Sequence, residues 1–303
     1  MTRLLEGKAS AAAIRDDTAA AAHRLRDAGV VPSLALVLAT ADESAAWYTR
    51  AIARAGEKVG VEVWIERLAD DASADEIRSA LRKLSAGPSV HGIILQAPLP
   101  PGVDGVEVAA DIAPEKDVDG ANPLSLGRLT AGLPAFAPAT AAAVMRLLDD
   151  QGVALSGRHA VVVGRSLVVG KPVAMLLLAR NATVTICHSR TVDLPTVTSQ
   201  ADVLVAAVGR PRMLGAEHVK PGAVVIDVGT TPDDDGTLVG DVDADAVMGR
   251  AEAVTPVPGG VGPVTTALLL HSTVAAASAL QDAWRARGAP GPRVSWGPTA
   301  RAP

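Results

Sequence analysis

Eight short apolar runs, alternating with stretches of helical periodicity, constrain this 303-residue chain more than any other feature. They are SLALVLA (33–39), VEVWIERL (61–68), HGIILQAPLP (91–100), HAVVVG (159–164), ATVTICHS (182–189), ADVLVAAVG (201–209), AVVIDVG (223–229) and AEAVTPV (251–257). Most are continuously apolar, as strands buried on both faces are, and that is the habit of a parallel sheet covered by helices. Helical patterns at residues 44–60 around Tyr48 and at 74–87 supply the crossovers that parallel strands need. Only 2% of residues are aromatic, so the core has to be built from Ala, Val, Leu and Ile, which suits the same α/β class. A Pro/Gly-rich zone, PLSLGRLTAGLPAFAPAT (123–140), reads as a crossing between two domains, after which the alternation restarts. A long Ala/Leu helix is expected over 265–280. The last sixteen residues, rich in Pro and Gly, predict a mobile tail over 288–303.

Composition removes several function classes. A net charge of −5 and a pI near 5.7 leave no positive excess for nucleic acid or an anionic membrane. The single cysteine, Cys187, forbids an internal disulfide and suits a reducing compartment. MTRLLEGKAS carries no signal-peptide run, and no stretch reads as approaching the roughly 20 apolar residues of a membrane span. No metal-ligand set stands out. The expectation is a soluble, cytoplasmic protein.

Two motifs point to a nucleotide. In HAVVVGRSLVVGKPVAMLLL, a buried strand runs into a turn bounded by Gly164 and Gly170 and then into a helix with Pro172 in its first turn. Such a turn brings backbone N–H groups and the helix dipole to a phosphate, with Arg165 and Ser166 inside it. A plain βα turn explains the glycines equally well on spacing alone. The next strand, about twenty residues on, ends His188-Ser189-Arg190 rather than in the carboxylate usual for NAD. A hydroxyl and a guanidinium there suit the 2′-phosphate of NADP, with solvated loop charges as the competing reading. The second motif, TPVPGGVGPVT (255–265), is a rigid loop able to press its backbone against a flat ligand, or a tight structural turn.

Taken with GIILQAPLP (92–100), PEKDVDG (114–120), GRSLVVGKP (164–172), CHSRT (187–191), ADVLVAAVG, VVIDVG (224–229) and GDV (240–242), these strings resemble the methylenetetrahydrofolate dehydrogenase/methenyltetrahydrofolate cyclohydrolase family, the bifunctional FolD type. The resemblance runs from about Leu5 to about Leu280. It implies a folate domain over 1–137 completed by a C-terminal helix (265–287), a Rossmann-type NADP domain over 138–264, a cleft between them, and a homodimer. It implies oxidation of 5,10-methylenetetrahydrofolate, followed in bifunctional members by hydrolysis to 10-formyltetrahydrofolate. Carried across by position, Tyr48 packs against the folate, Gln96 helps activate the reacting centre and Asp119 hydrogen-bonds the pterin, although Gln96 and Asp119 each have a structural reading as strand end and turn cap. Val208, Gly209 and Thr230 join the cofactor site, and Pro258, Gly259, Gly260 and Val261 the substrate site.

One departure matters most. The family tyrosine is followed by Y-x-x-x-K-x-K with the first lysine catalytic, and here that place is Ile52, with Arg54 at the second. Arg50 and Arg54 lie about 200° and 240° round the helix from Tyr48, whereas Ile52 lies at about 40°, so neither arginine replaces the ammonium simply. Hydride transfer draws its electron push from the folate nitrogens. Hydrolysis needs a positioned acid/base, worth roughly 10²–10⁴ in rate. The expectation is an NADP-dependent dehydrogenase with cyclohydrolase activity weak or absent. The alternatives are the full bifunctional enzyme and a repurposed NADP-binding paralogue.

Overall fold

The structure, a computed structural model, describes residues 2–233 and 235–286. From the N-terminus run β1 (Arg3–Leu4), α1 (Lys8–Asp27), β2 (Ser33–Leu38), α2 (Glu43–Val59), β3 (Glu62–Arg67), α3 (Ala74–Ala86), β4 (Gly92–Gln96), α4 (Gly105–Ala109) and α5 (Pro123–Thr130). There follow α6 (Ala139–Asp150), β5 (His159–Val163), α7 (Gly170–Ala179), β6 (Thr183–Cys187), α8 (Leu194–Thr198), β7 (Val203–Ala206), β8 (Val224–Asp227), β9 (Thr231–Pro232), β10 (Leu238–Val239), α9 (Ala244–Val247), β11 (Ala253–Val254) and α10 (Val261–Ala286).

The apolar runs form two parallel sheets. The smaller has the order β3-β2-β4 and the larger β1-β11-β8-β7-β5-β6, while β9 and β10 form a separate antiparallel hairpin. In the smaller sheet the chain leaves β2 for β3 and then returns across it to β4. Its order therefore reverses between β2 and β4, where Leu38 and Gln96 stand side by side in register. In the larger sheet the reversal falls between β5 and β7, where Val163 pairs with Ala206. Crevices at the carboxyl ends of strands flanking such a reversal are where open α/β sheets hold ligands.

Local chemistry sets the element ends. Asp42 caps α2 by accepting the Ala45 N–H at 2.7 Å, and Gly60 closes it in the left-handed region at φ 80°. Ser73 and Glu76 form a reciprocal capping box on α3. The run expected over 91–100 ends as a strand at Gln96, because Pro98 and Pro100 have no N–H for a ladder. The run over 251–257 is reduced to two residues, since Thr255 turns its hydroxyl to bond Asp227 and prolines follow.

Helix α10 ties the two halves together. Val264 and Ala267 belong to the core that packs under the larger sheet, with Leu147, Val162 and Ile226. Leu269, Leu270, Val274, Ala276 and Ala277 belong to the core of the smaller sheet, with Leu34, Leu36, Ile52 and Ile94. The helix starts at Val261, four residues before the expected 265, and so absorbs the end of the PGGVGPVT string. Contrary to the sequence expectation, its segment Val261–Ala283 is long and apolar enough to cross a membrane, with a mean hydropathy of 1.3. Its apolarity is that of a core helix, packed against α1, α6 and α2. At the other end, β1 joins the larger sheet beside β11, although its residues lie within the range expected for the folate domain. The tail expected over 288–303, and residue 287 of the expected helix, lie outside the described residues.

A joint between the chain's start and the 255–265 loop is unusually close. The Gly7 N–H donates to the Gly259 carbonyl at 2.8 Å, and a Cβ on Gly7 would stand 2.0 Å from the Gly260 carbonyl oxygen. Backbone oxygen cannot yield as a side-chain tip does. Gly7→Ala is expected to destabilise the protein by about 1–3 kcal/mol in denaturant melts. Gly127→Ala, in open space on α5, is expected to leave stability unchanged or slightly raised.

Candidate active site

The buried stripe of α2 runs through Ala45, Thr49, Ile52, Gly56 and Val59. Tyr48 lies about 60° to one side of that stripe and packs, partly buried, against the core of the smaller sheet. It is half-buried, and Asp119 is the charged group acting on it. Burial is the main reason its phenol is pushed up to about 12; the negative charge of Asp119 adds to this and Thr266 pulls the other way. Gln96 stands half-exposed at the end of β4, its Nε2 donating to the Ala97 carbonyl at 2.9 Å.

Asp119 is placed by two buried ionisable neighbours that do no chemistry. Lys116 donates its ammonium to the carbonyls of Ser85 and Gly87, each at 2.7 Å, and so pins the loop to the end of α3. Asp117 takes the N–H of Ala121 at 2.8 Å and of Asn122 at 2.9 Å, closing the turn. Asp119 then reaches the first turn of α6, accepting the Ala139 N–H at 3.2 Å. The capping role weighed for it from sequence is thus present beside any ligand role. Burial raises its carboxyl to about 7 against the Ala139 bond that lowers it, and Asp117 adds further repulsion. Gly120 follows at φ 60°, and a Cβ there would sit 2.6 Å from the Pro138 nitrogen. The Asp119 loop and the start of α6 are in tight backbone contact. A cavity of about 380 Å³ opens beside this joint, walled by Gly120, Ala121, Leu126 and Thr130 on one side and Leu167 on the other.

Ile52 does not line the cleft. Its side chain is 0% exposed, within the core formed by Leu34, Leu36, Ile94 and Val118. Fully buried, its side chain does not reach the surface where the sequence reading had set it. Arg50 and Arg54 are exposed on the outer side of α2.

The nucleotide turn sits at the other reversal point. Gly164 adopts φ 130°, and a Cβ there would stand 2.1 Å from the Ala207 carbonyl oxygen; a Cβ on Gly170 would stand 2.2 Å from that of Gly164. Gly164 is therefore required by the close approach of the backbone that follows β7, and Gly170 by the close approach of Gly164 within the turn itself. The Ser166 hydroxyl accepts from the Val169 and Gly170 N–H groups at 3.2 and 3.3 Å, occupying the place of an anion at the start of α7. Arg165, Ser189 and Arg190 are exposed on the same rim. The turn after β6 is fixed by the His188 ring, which accepts the Arg190 N–H at 3.2 Å. These residues fit the 2′-phosphate of NADP: two guanidiniums, two hydroxyls and no carboxylate at the end of β6.

Sequence reasoning gave no role to the carboxylates that shape the rest of this rim. Asp241 accepts the N–H groups of Val208, Gly209 and Arg210 at 2.6, 3.1 and 2.7 Å. Asp227, buried and pushed up to about 6, accepts those of Gly229, Asp241 and Val242, each at 2.9 Å. Together they hold the Val208–Gly209 loop and the start of the β9–β10 hairpin, where Thr230 is exposed. The strings IDVG and GDV marked the place without revealing that the two aspartates are stacked. In the 255–265 loop, Pro258 is exposed and Gly259 half-buried. Gly260 is buried against Pro256 and Val261 is 5% exposed in the core, so these two anchor the loop. Among the described residues no group of ligating side chains could hold a metal ion.

Two parallel sheets, each with a reversal crevice, one rimmed for a dinucleotide and the other carrying a phenol and a carboxyl, define a two-domain dinucleotide-dependent enzyme. The family models settle which one. The catalytic domain of tetrahydrofolate dehydrogenase/cyclohydrolase matches residues 5–119, and the NAD(P)-binding domain of the same family matches 138–281. The chain belongs to that family. The bifunctional FolD 1 proteins of Saccharopolyspora erythraea and Rhodococcus jostii are 61% and 60% identical to it, each over 91% of this chain and 94% and 93% of theirs. Among solved structures, the bifunctional FolD of Campylobacter jejuni superposes with a TM-score of 0.89 at 37% identity, covering 92% of this chain and 99% of its own. The Trypanosoma brucei enzyme, solved with NADP and an inhibitor, gives 0.87 at 36% identity, covering 92% and 98%. The family's domain is an NAD(P)-binding one, and the bound nucleotide of the Trypanosoma brucei structure supports NADP as the cofactor.

Arg190→Ala is expected to weaken NADPH binding about tenfold while leaving NADH binding and the melting temperature unchanged, as read by quenching of nucleotide fluorescence.

Proposed function

We propose that this protein oxidises 5,10-methylenetetrahydrofolate with NADP and hydrolyses the methenyl product only slowly. The observation carrying this reading is the complete burial of Ile52 in apolar packing one turn from Tyr48, where the family pattern has a lysine. Bound NADP supplies the hydride acceptor. The chain's own part in that step is positional: Tyr48 against the face of the reduced pterin, Asp119 toward its N–H groups, Gln96 at the mouth of the β2–β4 crevice, and Pro258 with Gly259 along the rim. None of this needs an ammonium group. Water attack on the methenyl carbon and protonation of the departing nitrogen do need a titratable group within reach, and Ile52 provides none.

A second reading, the full bifunctional enzyme, is favoured by two observations. The relatives at 61% and 60% identity are named bifunctional, and Asp119, raised to about 7, is a titratable group that acts on Tyr48 in the same cleft. The third, a repurposed NADP-binding paralogue, has against it the convergence of Tyr48 and Asp119 in one cleft. Folate derivatives as ligands, a homodimer and a cytoplasmic setting belong to the proposed reading as family expectations.

Purified protein given methenyltetrahydrofolate is expected to hydrolyse it no faster than buffer does; rapid loss of the methenyl absorbance establishes the bifunctional reading. Ile52→Lys is expected to raise hydrolysis about 10²-fold or more, with Ile52→Met as the apolar control that does not. The pH profile is a separate check. Asp119 accepts pterin N–H groups only when ionised, and its carboxyl titrates near 7. kcat/KM for dehydrogenation is therefore expected to fall as the pH drops through about 7 and to level off above it.

A further inference from the structure

Three consecutive backbone N–H groups after β7 converge on one buried side chain. Asp241 accepts those of Val208 and Gly209 on Oδ2 at 2.6 and 3.1 Å, and that of Arg210 on Oδ1 at 2.7 Å. Gly209 turns through φ 64° to bring them round. A concavity of N–H groups of this kind is a way for backbone to hold an anion, and here the anion is the chain's own. Asp241 is itself held from behind. Its N–H and that of Val242 donate to the two oxygens of Asp227, each at 2.9 Å, and the Asp227 N–H donates to the Thr255 hydroxyl at 2.7 Å. The fit is close: a Cβ on Gly229 would stand 2.5 Å from the Asp241 carboxylate.

The consequence lies in what the loop has left to offer. With its N–H groups committed to Asp241, the Val208–Gly209 segment has no backbone donor for a ligand. Its acceptors are free. Among the described residues no backbone N–H donates to the Val208 or Gly209 carbonyl, and these residues are half-buried and exposed. The loop after β7 is an acceptor surface, whereas the turn after β5 offers positive charge and the start of a helix to a phosphate.

Topology decides which part of the nucleotide meets it. Strands β6 and β7 flank β5 on opposite sides. Ser189 and Arg190 follow β6 and suit the 2′-phosphate on the adenosine. A dinucleotide laid across the reversal therefore brings its nicotinamide half to the end of β7. The ribose hydroxyls and carboxamide of that half are hydrogen-bond donors.

We infer that Asp241 is a positioning residue for the nicotinamide half of NADP: by taking the three N–H groups of Val208, Gly209 and Arg210, it fixes the loop with only acceptors to meet that half's donors. The inference rests on the NADP reading of the proposed function and not on slow hydrolysis, and binding rather than turnover tests it.

Two probes separate this role from general support of the domain. NADPH carries both halves of the cofactor; adenosine 2′,5′-bisphosphate carries the adenine half alone. Both are titrated calorimetrically into wild-type protein and Asp241→Asn. An amide accepts at one end only, so one of its ends sets a donor against a donor. Asp241→Asn is expected to weaken NADPH about tenfold and to leave the bisphosphate within about twofold. Arg190→Ala, by contrast, is expected to weaken both. Equal loss of both probes in Asp241→Asn, or loss of neither, overturns the inference. Should that variant not fold, Gly209 provides the same test, because a Cβ there meets nothing within 4 Å. Alanine disfavours its positive φ and asparagine tolerates it, so Gly209→Asn is expected to lose less NADPH affinity than Gly209→Ala. A greater loss with the bulkier asparagine overturns the inference. Wild-type protein that binds NADPH but does not turn over methylenetetrahydrofolate defeats the dehydrogenase reading and leaves the role of Asp241 standing.

Discussion

Membership of α10 in two hydrophobic cores is the constraint on which the rest of the architecture depends. Val264 and Ala267 are fixed by the larger sheet and Leu269 to Ala277 by the smaller one, so the helix acts as a common beam. Because the interiors are close-packed, neither sheet can shift along it without opening voids in its own core. The crevices at the two strand-order reversals are held in register by this beam and by the joint at Gly120 and Pro138. Asp119 sits at that joint, bonded to the first turn of α6 while facing the cleft occupied by Tyr48.

The two reaction steps ask different things of such a frame. Hydride transfer asks for distance and angle between two flat rings, and a rigid two-core frame supplies both. Hydrolysis asks for a group that exchanges a proton near neutral pH, and in the proposed reading Ile52, buried where the family resemblance expects a lysine, offers none. Burial has meanwhile moved Asp119 to about 7, close to the range in which acid/base work is done. Whether that carboxyl takes over the proton transfer or remains a pterin-holding group decides between the slow and the fast hydrolase.

Much of this was legible in the sequence. Continuous apolar runs gave the parallel sheets, and the helix expected over 44–60 is α2, capped at Asp42 and Gly60. The paired glycines at 164 and 170 mark a turn in which neither position admits a Cβ. What escaped notice depends on contacts between distant segments. The two-residue β1 has no pattern of its own and exists because the larger sheet offers an edge beside β11. Helix α1 mixes alanines with charged residues, and its buried face, which includes Ser10 and Thr18 beside Ala11, Ala22, Ile14 and Leu25, is too weakly apolar to announce itself. The zone read as a crossing at 123–140 contains α5, whose Asn122 cap and Pro123 start were hidden among other prolines and glycines. Asp227 and Asp241 owe their roles to partners 14 or more residues away, and spacing carries no trace of them. Ile52 shows the reverse case: the motif located the position, and only packing revealed that its side chain is wholly buried.

The partition of a single turnover tests the central claim most directly. Excess enzyme loaded with NADP is mixed with methylenetetrahydrofolate labelled at the one-carbon bridge, quenched within one turnover, and the label is divided between methenyl- and 10-formyltetrahydrofolate. The account predicts NADPH formation matched by label in the methenyl form, because oxidation proceeds over an apolar floor that cannot drive hydrolysis. Label recovered mainly as 10-formyltetrahydrofolate, in step with NADPH, would contradict it.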